Sequence, residues 1–201
     1  MPFLLRVELP DVPGSLGRLA TAIGDAGGDI DAIEIVEKRP DGTALDDVLL
    51  ETESMPDSIV SACNALDGVQ VVWISRYAAG GNLVLDLEAV EEITAKPQEA
   101  VERLVDLLPD VFRADWGARV HRAKGLVYGT TAAPADLAFT EIEGPSRIDG
   151  PDDTDVTLYA AARLDGNEII VVGRRGGPDF VDSEIARLGH LAGLALSIAE
   201  A

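Results

Sequence analysis

The sequence predicts an α+β protein of two domains, each organised around an antiparallel sheet. Three observations carry that expectation. The first 80 residues alternate strand and helix patterns in the order βαββαβ, and the small-residue run Ala78-Ala79-Gly80-Gly81-Asn82 follows the last strand. Beyond it come two helices, two strands, a long loop, a hairpin and a closing helix. The chain has 201 residues, 47% of them hydrophobic, so one or two domains can each bury a core.

Each element follows from its residues. Phe3 to Leu9 ends in strict alternation and is closed by Pro10, which suits a strand. After the turn Pro10-Asp11-Val12-Pro13-Gly14, Ser15 is the expected N-cap of a helix whose apolar stripe is Leu16, Leu19, Ala20, Ile23 and Ala26. Gly27-Gly28 ends that helix, because glycine takes the left-handed cap conformation cheaply. A strand over Ile30–Glu37 turns at Pro40-Asp41-Gly42 into a return strand over Ala44–Glu53. Met55-Pro56-Asp57 opens a second helix with Ile59, Val60, Cys63 and Leu66 on one face, and Val69–Tyr77 is a fourth strand. Strands and helices in this order form one antiparallel sheet with both helices on one face, the ferredoxin-like arrangement.

The boundaries expected are a first domain at 1–79, a linker and connecting helix at 80–96, and a second domain at 97–201. In the second part, Leu83–Ile93 and Pro97–Leu108 read as helices, and Trp116–Arg122 and Gly125–Thr131 as strands. Ala132–Asp155 is rich in Pro, Asp and Gly and reads as a long loop of the functional or mobile kind. Asp155–Leu164 and Glu168–Arg174 make a hairpin across Asp165-Gly166-Asn167, and Pro178–Ala201 is an amphipathic helix.

Charge and composition exclude several functions. The formal net charge is −20, with 5 basic against 14 acidic residues in 1–80 and 11 against 22 in 81–201. Binding nucleic acid or an anionic membrane surface needs lysine and arginine to neutralise phosphates, so neither is expected. One cysteine cannot close an internal disulfide, and no His/Cys cluster has the spacing of metal ligands, so no metal or cofactor is expected. No apolar run reaches membrane-spanning length and the first residues do not read as a secretion signal; a soluble cytoplasmic setting is the expectation.

The segment Glu8-Leu9-Pro10-Asp11-Val12-Pro13-Gly14-Ser15-Leu16-Gly17-Arg18-Leu19, followed by Ala26-Gly27-Gly28-Asp29-Ile30, resembles the ACT domain over residues 3–77. The resemblance implies a regulatory module of a kind that commonly binds amino acids between paired copies, with Asp11, Val12, Pro13, Gly14, Ser15 and Leu16 as the ligand loop and Asp29 and Ile30 beside it. The loop has its own physics. Pro13 presets the turn, Gly14 clears a side chain from the approach, and the helix start offers unpaired N–H groups to an α-carboxylate. The ammonium needs an acceptor, and Asp11, Asp29 and Asp31 are the candidates. Asp29 stands where amino-acid-binding ACT domains often carry Asn. An ionised Asp cannot donate to a carboxylate, so either Asp29 faces the ammonium or the pocket has changed or lost its ligand.

Residues 155–200, with Val172–Phe180 feeding Ser183–Ala192, resemble a GAF domain, which implies a small-molecule sensor or dimerisation module. The segment that would cover its pocket is short. Other motifs have plainer readings. Gly173-Arg174-Arg175-Gly176-Gly177 matches neither phosphate-loop template; it reads as a turn before a helix capped by Asp179, with an anion site on Arg174 and Arg175 as the alternative. Cys63 reads as a buried thiol, and Ser183 and His190 as helix residues rather than a catalytic pair. Gly189 and Gly193 inside a helix point to the close approach of another backbone. The function expected is non-catalytic: an amino-acid-responsive homodimer that signals to a regulated partner protein. The alternative is a ligand-free assembly module.

Overall fold

The computed structural model describes residues 1–76, 81–150 and 156–201, with the backbone alone at 81–83. Tyr77, the small-residue run at 78–80 and the loop end at 151–155 lie outside the described residues. The chain divides into two units, Met1–Gly81 and Asn82–Ala201.

The first unit contains β1 (Pro2–Pro10), α1 (Ser15–Asp25), β2 (Gly28–Lys38), β3 (Thr43–Thr52), α2 (Pro56–Asn64) and β4 (Gln70–Arg76). The strands form one antiparallel sheet in the order β2-β3-β1-β4. Alternation decides what is buried where. Phe3, Leu5, Val7 and Leu9 of β1 and Val48 and Leu50 of β3 point to one face, where they pack with Leu19 and Ile23 of α1 and Ile59 and Cys63 of α2. Both helices therefore cover the same face. Burial pushes the Cys63 thiol up to about 11, so it packs as a small apolar group and is not a thiolate.

Residues between these inward positions carry polar groups that are also buried. Arg6 and Asp47, directly paired across β1 and β3, exchange two hydrogen bonds: Nε to Oδ1 at 2.7 Å and Nη2 to Oδ2 at 2.8 Å. Their side chains are 2% and 3% exposed, so the pair has almost no water to fall back on.

The second unit contains α3 (Gly81–Ala95), a 3-10 turn (Pro97–Glu99), α4 (Ala100–Val111), β5 (Trp116–His121), β6 (Gly125–Gly129), β7 (Ser146–Ile148), β8 (Thr157–Arg163), β9 (Glu168–Arg175) and α5 (Asp182–Ala199). Its five strands are antiparallel in the order β6-β5-β9-β8-β7. One sheet face buries Ile170 and Val172 against Leu104 and Leu108 of α4 and Leu188 and Ala192 of α5. Ala89 and Ile93 of α3 join that same core, so the connecting helix is an integral part of the second unit.

The opposite face carries Trp116, Val120, Tyr159 and Val171, and the long loop lays Leu137 and Ile142 on them. Trp116 and Tyr159 meet edge to face, with centroids 5.5 Å apart. Gly173, opposite Trp116 in the register, makes room for that ring; a Cβ there would lie 2.1 Å from it. Within the loop, Ser146–Ile148 pairs with β8 as the edge strand β7.

Several local expectations are corrected. Ser15 is not the N-cap: Gly14 is, at φ 91°, and Ser15 is the buried first helical residue, its Oγ accepting from Arg18 at 3.3 Å. α5 begins at Asp182, and the cap comes from Glu184, whose Oε2 accepts the Val181 N–H at 2.9 Å, rather than from Asp179. At Gly189 the close neighbour is the ring of Pro145, 2.2 Å from where a Cβ would stand, and not another backbone. Gly193 faces open space.

Candidate functional site

The turn between β1 and α1 is built by hydrogen bonds of its own backbone. Asp11 N–H donates to Gly42 O at 2.8 Å, Val12 N–H to Pro10 O at 2.9 Å and Ser15 N–H to Val12 O at 3.2 Å. Gly14 then turns the chain at a left-handed φ of 91°, which a side chain would resist, and its carbonyl accepts the Arg18 N–H at 3.1 Å. This accounting uses up four donors. The N–H groups of Leu16 and Gly17 have no backbone acceptor and no side-chain cap among the described residues. They are the orphan donors of the first turn, at the positive end of the helix dipole.

Beside them runs an open groove of about 490 Å³, lined by Gly14, Gly17, Arg18, Thr21, Ala22 and Asp25 of the turn and α1, with Leu66 from beyond α2. Gly17 has no atom near the position of an added Cβ, so the groove wall is open there. Pro13 and the exposed Val12 flank the turn, and Leu16 packs partly against the core.

The acidic candidates do not all meet at this turn. Asp11 is held by Lys38 of β2, with Nζ–Oδ2 at 2.8 Å on the surface. Asp29 and Ile30 alternate across β2: Ile30 packs with the helices, while Asp29 is exposed on the other sheet face opposite Glu51. Asp31 is exposed on the same edge strand, where the register with β3 shifts.

The charged residue that sequence reasoning missed here is Asp46. It stands in the inward row Ala44, Asp46, Val48, Leu50 of β3, paired with Val7 and Ile35, and is 1% exposed. Its Oδ1 has no hydrogen-bond partner among the described residues. Burial, with the like charges of Asp11 and Asp47, pushes its carboxyl up to about 6, against a smaller opposing pull from Lys38. An acid whose folded-state pKa is raised favours folding when protonated. The contribution of Asp46 to the stability of the first unit therefore rises as the pH falls through about 6 and levels off below the ordinary value of 3.8. Asp46→Asn is expected to stabilise the first unit by about 2–3 kcal/mol at pH 7.5 and by much less at pH 4. Urea unfolding at the two pH values checks this. An equal gain at both would disconnect the effect from ionisation.

Two further motifs are settled by the second unit. Arg174 does not await an anion: its guanidinium is 4% exposed and donates to Glu184 Oε1 at 2.7 Å, Phe112 O at 2.6 Å and Pro178 O at 2.9 Å. Within the glycine–arginine turn Arg174 is thus a structural residue, while Arg175 is exposed. Ser183 lies in the first turn of α5 and His190 is exposed further along it. Among the described residues no group of three or more His, Cys, Asp or Glu side chains could hold a metal ion, and no helix is long and apolar enough to cross a membrane.

Comparison with known proteins adds four findings. The chain is 41% identical over 196 residues to NAD-dependent malic enzyme 1 of Bacillus subtilis (strain 168), an alignment that covers 95% of this chain and spans 38% of the enzyme's length. Among solved structures, the GAF domain of an Acinetobacter phosphoenolpyruvate-protein phosphotransferase is similar at 11% identity and TM-score 0.46, over 61% of this chain and 95% of that one. A GAF domain from Pseudomonas syringae pv. tomato is similar at 18% identity and TM-score 0.45, over 59% of this chain and 85% of that one. The ACT domain model matches residues 3–68, a span that begins in β1 and ends beyond α2. With that match, the βαββαβ order and the proline–glycine turn all falling in the first unit, residues 3–68 of this chain are an ACT domain.

Proposed function

We propose that this chain is a non-catalytic regulatory protein whose ACT domain binds a free amino acid at the β1–α1 turn, in a dimer. The observation that carries this reading is the pair of unpartnered N–H groups at Leu16 and Gly17 beside an open groove. An α-carboxylate satisfies both donors and gains from the helix dipole. Asp11, the acid nearest the turn in sequence, can share its surface ion pair with the ammonium group, since exposed pairs of this kind hold little free energy. The dimer is supported by β2, an edge strand that leaves Ile33 and Ile35 36% and 44% exposed. Ligand binding shifts the dimer equilibrium to the extent that the two states differ in affinity. The partner receiving the signal is an enzyme, a reading supported by a malic enzyme that carries a similar segment within a longer chain.

Isothermal titration of the full chain against each proteinogenic amino acid, to several millimolar, tests the site. A saturable heat with at least one is expected. Gly17→Leu fills the groove without straining the backbone, since nothing lies within 4 Å of its Cβ position, and abolishes the part of that heat that arises at this turn while the protein stays folded. No heat with any amino acid overturns the reading. The exposed edge of β2 would then favour ligand-free assembly, and light scattering of an Ile35→Lys variant would test that through a fall in mass.

A further inference from the structure

We propose that a second groove, between α5 and β7 in the second unit, binds an α-amino acid zwitterion with an aromatic-sized apolar side chain. The groove holds about 800 Å³, ample for such a ligand. One wall is a single face of α5, with Asp182, Ile185, Gly189 and His190 at helical spacing. The other is the run Pro145 to Arg147 at the start of β7. From Asp182 to His190 the helix rises about 12 Å, so the groove is charged at one end and apolar along its middle.

The charged end is arranged for a zwitterion. Arg147 is fixed by its Nε, which donates to the Phe180 carbonyl at 2.6 Å, so the guanidinium does not have to be ordered by the ligand. Its Nη1 meets Asp182 Oδ1 at 2.9 Å, and its Nη2 has no partner among the described residues. Arg147 and Asp182 are 48% and 87% exposed, so their own pairing is weakened by water and opens at little cost. A ligand carboxylate takes Nη2, and the ligand ammonium takes Asp182. A simple anion would meet Asp182 as a like charge, and a simple cation would meet Arg147; a zwitterion satisfies both. The side chain then lies along Pro145 and Ile185 towards His190. Gly189 keeps this floor narrow by letting the Pro145 ring rest on the helix.

The chain has two histidines, His121 and His190, so the ring-proton signals of the full chain report this groove directly, with His190→Gln as the assignment. Titration with L-phenylalanine is expected to move the His190 signals saturably and leave those of His121 in place. Arg147→Ala and Asp182→Asn should each weaken the response by about tenfold or more. 3-Phenylpropionate, lacking the ammonium, and 2-phenylethylamine, lacking the carboxylate, should be weaker by a similar factor. The Gly17→Leu variant should keep the full response, which separates this groove from the ACT site. No saturable shift, an unchanged response in Arg147→Ala, equal binding of either analogue, or loss of the response in Gly17→Leu would each overturn the proposal.

Discussion

Replacing Arg6 with methionine is expected to lower the unfolding free energy of the ACT unit by about 3–5 kcal/mol, the cost of leaving a buried charge without its partner. Asp47 is 3% exposed and takes two short hydrogen bonds from Arg6, so removing the guanidinium strands a carboxylate where water cannot reach it. The pair itself adds little net stability, because burying two ions costs about what their attraction returns. The companion variant makes the distinction. Arg6→Met with Asp47→Leu removes both charges at similar volume and should recover most of the loss. Trp73 sits opposite Arg6 in the register of β1 and β4, so its fluorescence reports this unit once Trp116 is replaced by Phe. A loss below about 1 kcal/mol in the single variant would mean that water or another group solvates Asp47.

The ACT fold was legible because its inward positions are periodic and its turns carry proline and glycine. Leu19, Ile23, Ile59 and Cys63, read as helix stripes, are all in the observed core. Short or interrupted patterns were not legible. β7 is three residues long within a loop rich in Pro, Asp and Gly, and only its pairing with β8 makes it a strand. The cap of α1 was misassigned because Ser15 is a strong local N-cap signal, whereas the left-handed Gly14 turns the chain first. Ser15 is then drawn into the buried first turn.

The candidate site was legible in outline for a similar reason. Pro13 and Gly14 mark a turn, and a helix start always leaves N–H groups over. Which donors stay unpaired depends on carbonyls from Pro10, Val12 and Gly42, and no spacing rule supplies that. Arg6, Asp46 and Asp47 stand in strands that read as apolar or alternating, and an acid in the row Ala44, Asp46, Val48, Leu50 was the available signal for one of them. Asp29 shows the converse limit. Adjacent residues of a strand point to opposite faces, so Asp29 and Ile30 cannot both face the turn within one chain.

Arg174→Met is expected to destabilise the second unit by about 3–5 kcal/mol, for the same reason that governs Arg6 but with more partners lost. The guanidinium ties three segments together: it reaches the Phe112 carbonyl at the end of α4, the Pro178 carbonyl before α5 and Glu184 inside α5, and it lies 4.1 Å over the Phe180 ring. Without it, the Glu184 carboxylate, 5% exposed, loses the guanidinium that balances its charge while still accepting the Val181 N–H. Arg174→Lys should fail almost as badly, since a point charge on a flexible stem cannot reach carbonyls and carboxylate in the directions a planar fork does. If Arg174 served a passing anion instead, its loss would leave unfolding unchanged and only a binding signal would fall. Urea unfolding followed through Trp116, with Trp73 replaced by Phe, separates the two outcomes. Arg174→Met with Glu184→Leu should regain part of the loss but not all of it, because the Phe112 and Pro178 carbonyls would still lack the donor that joins them.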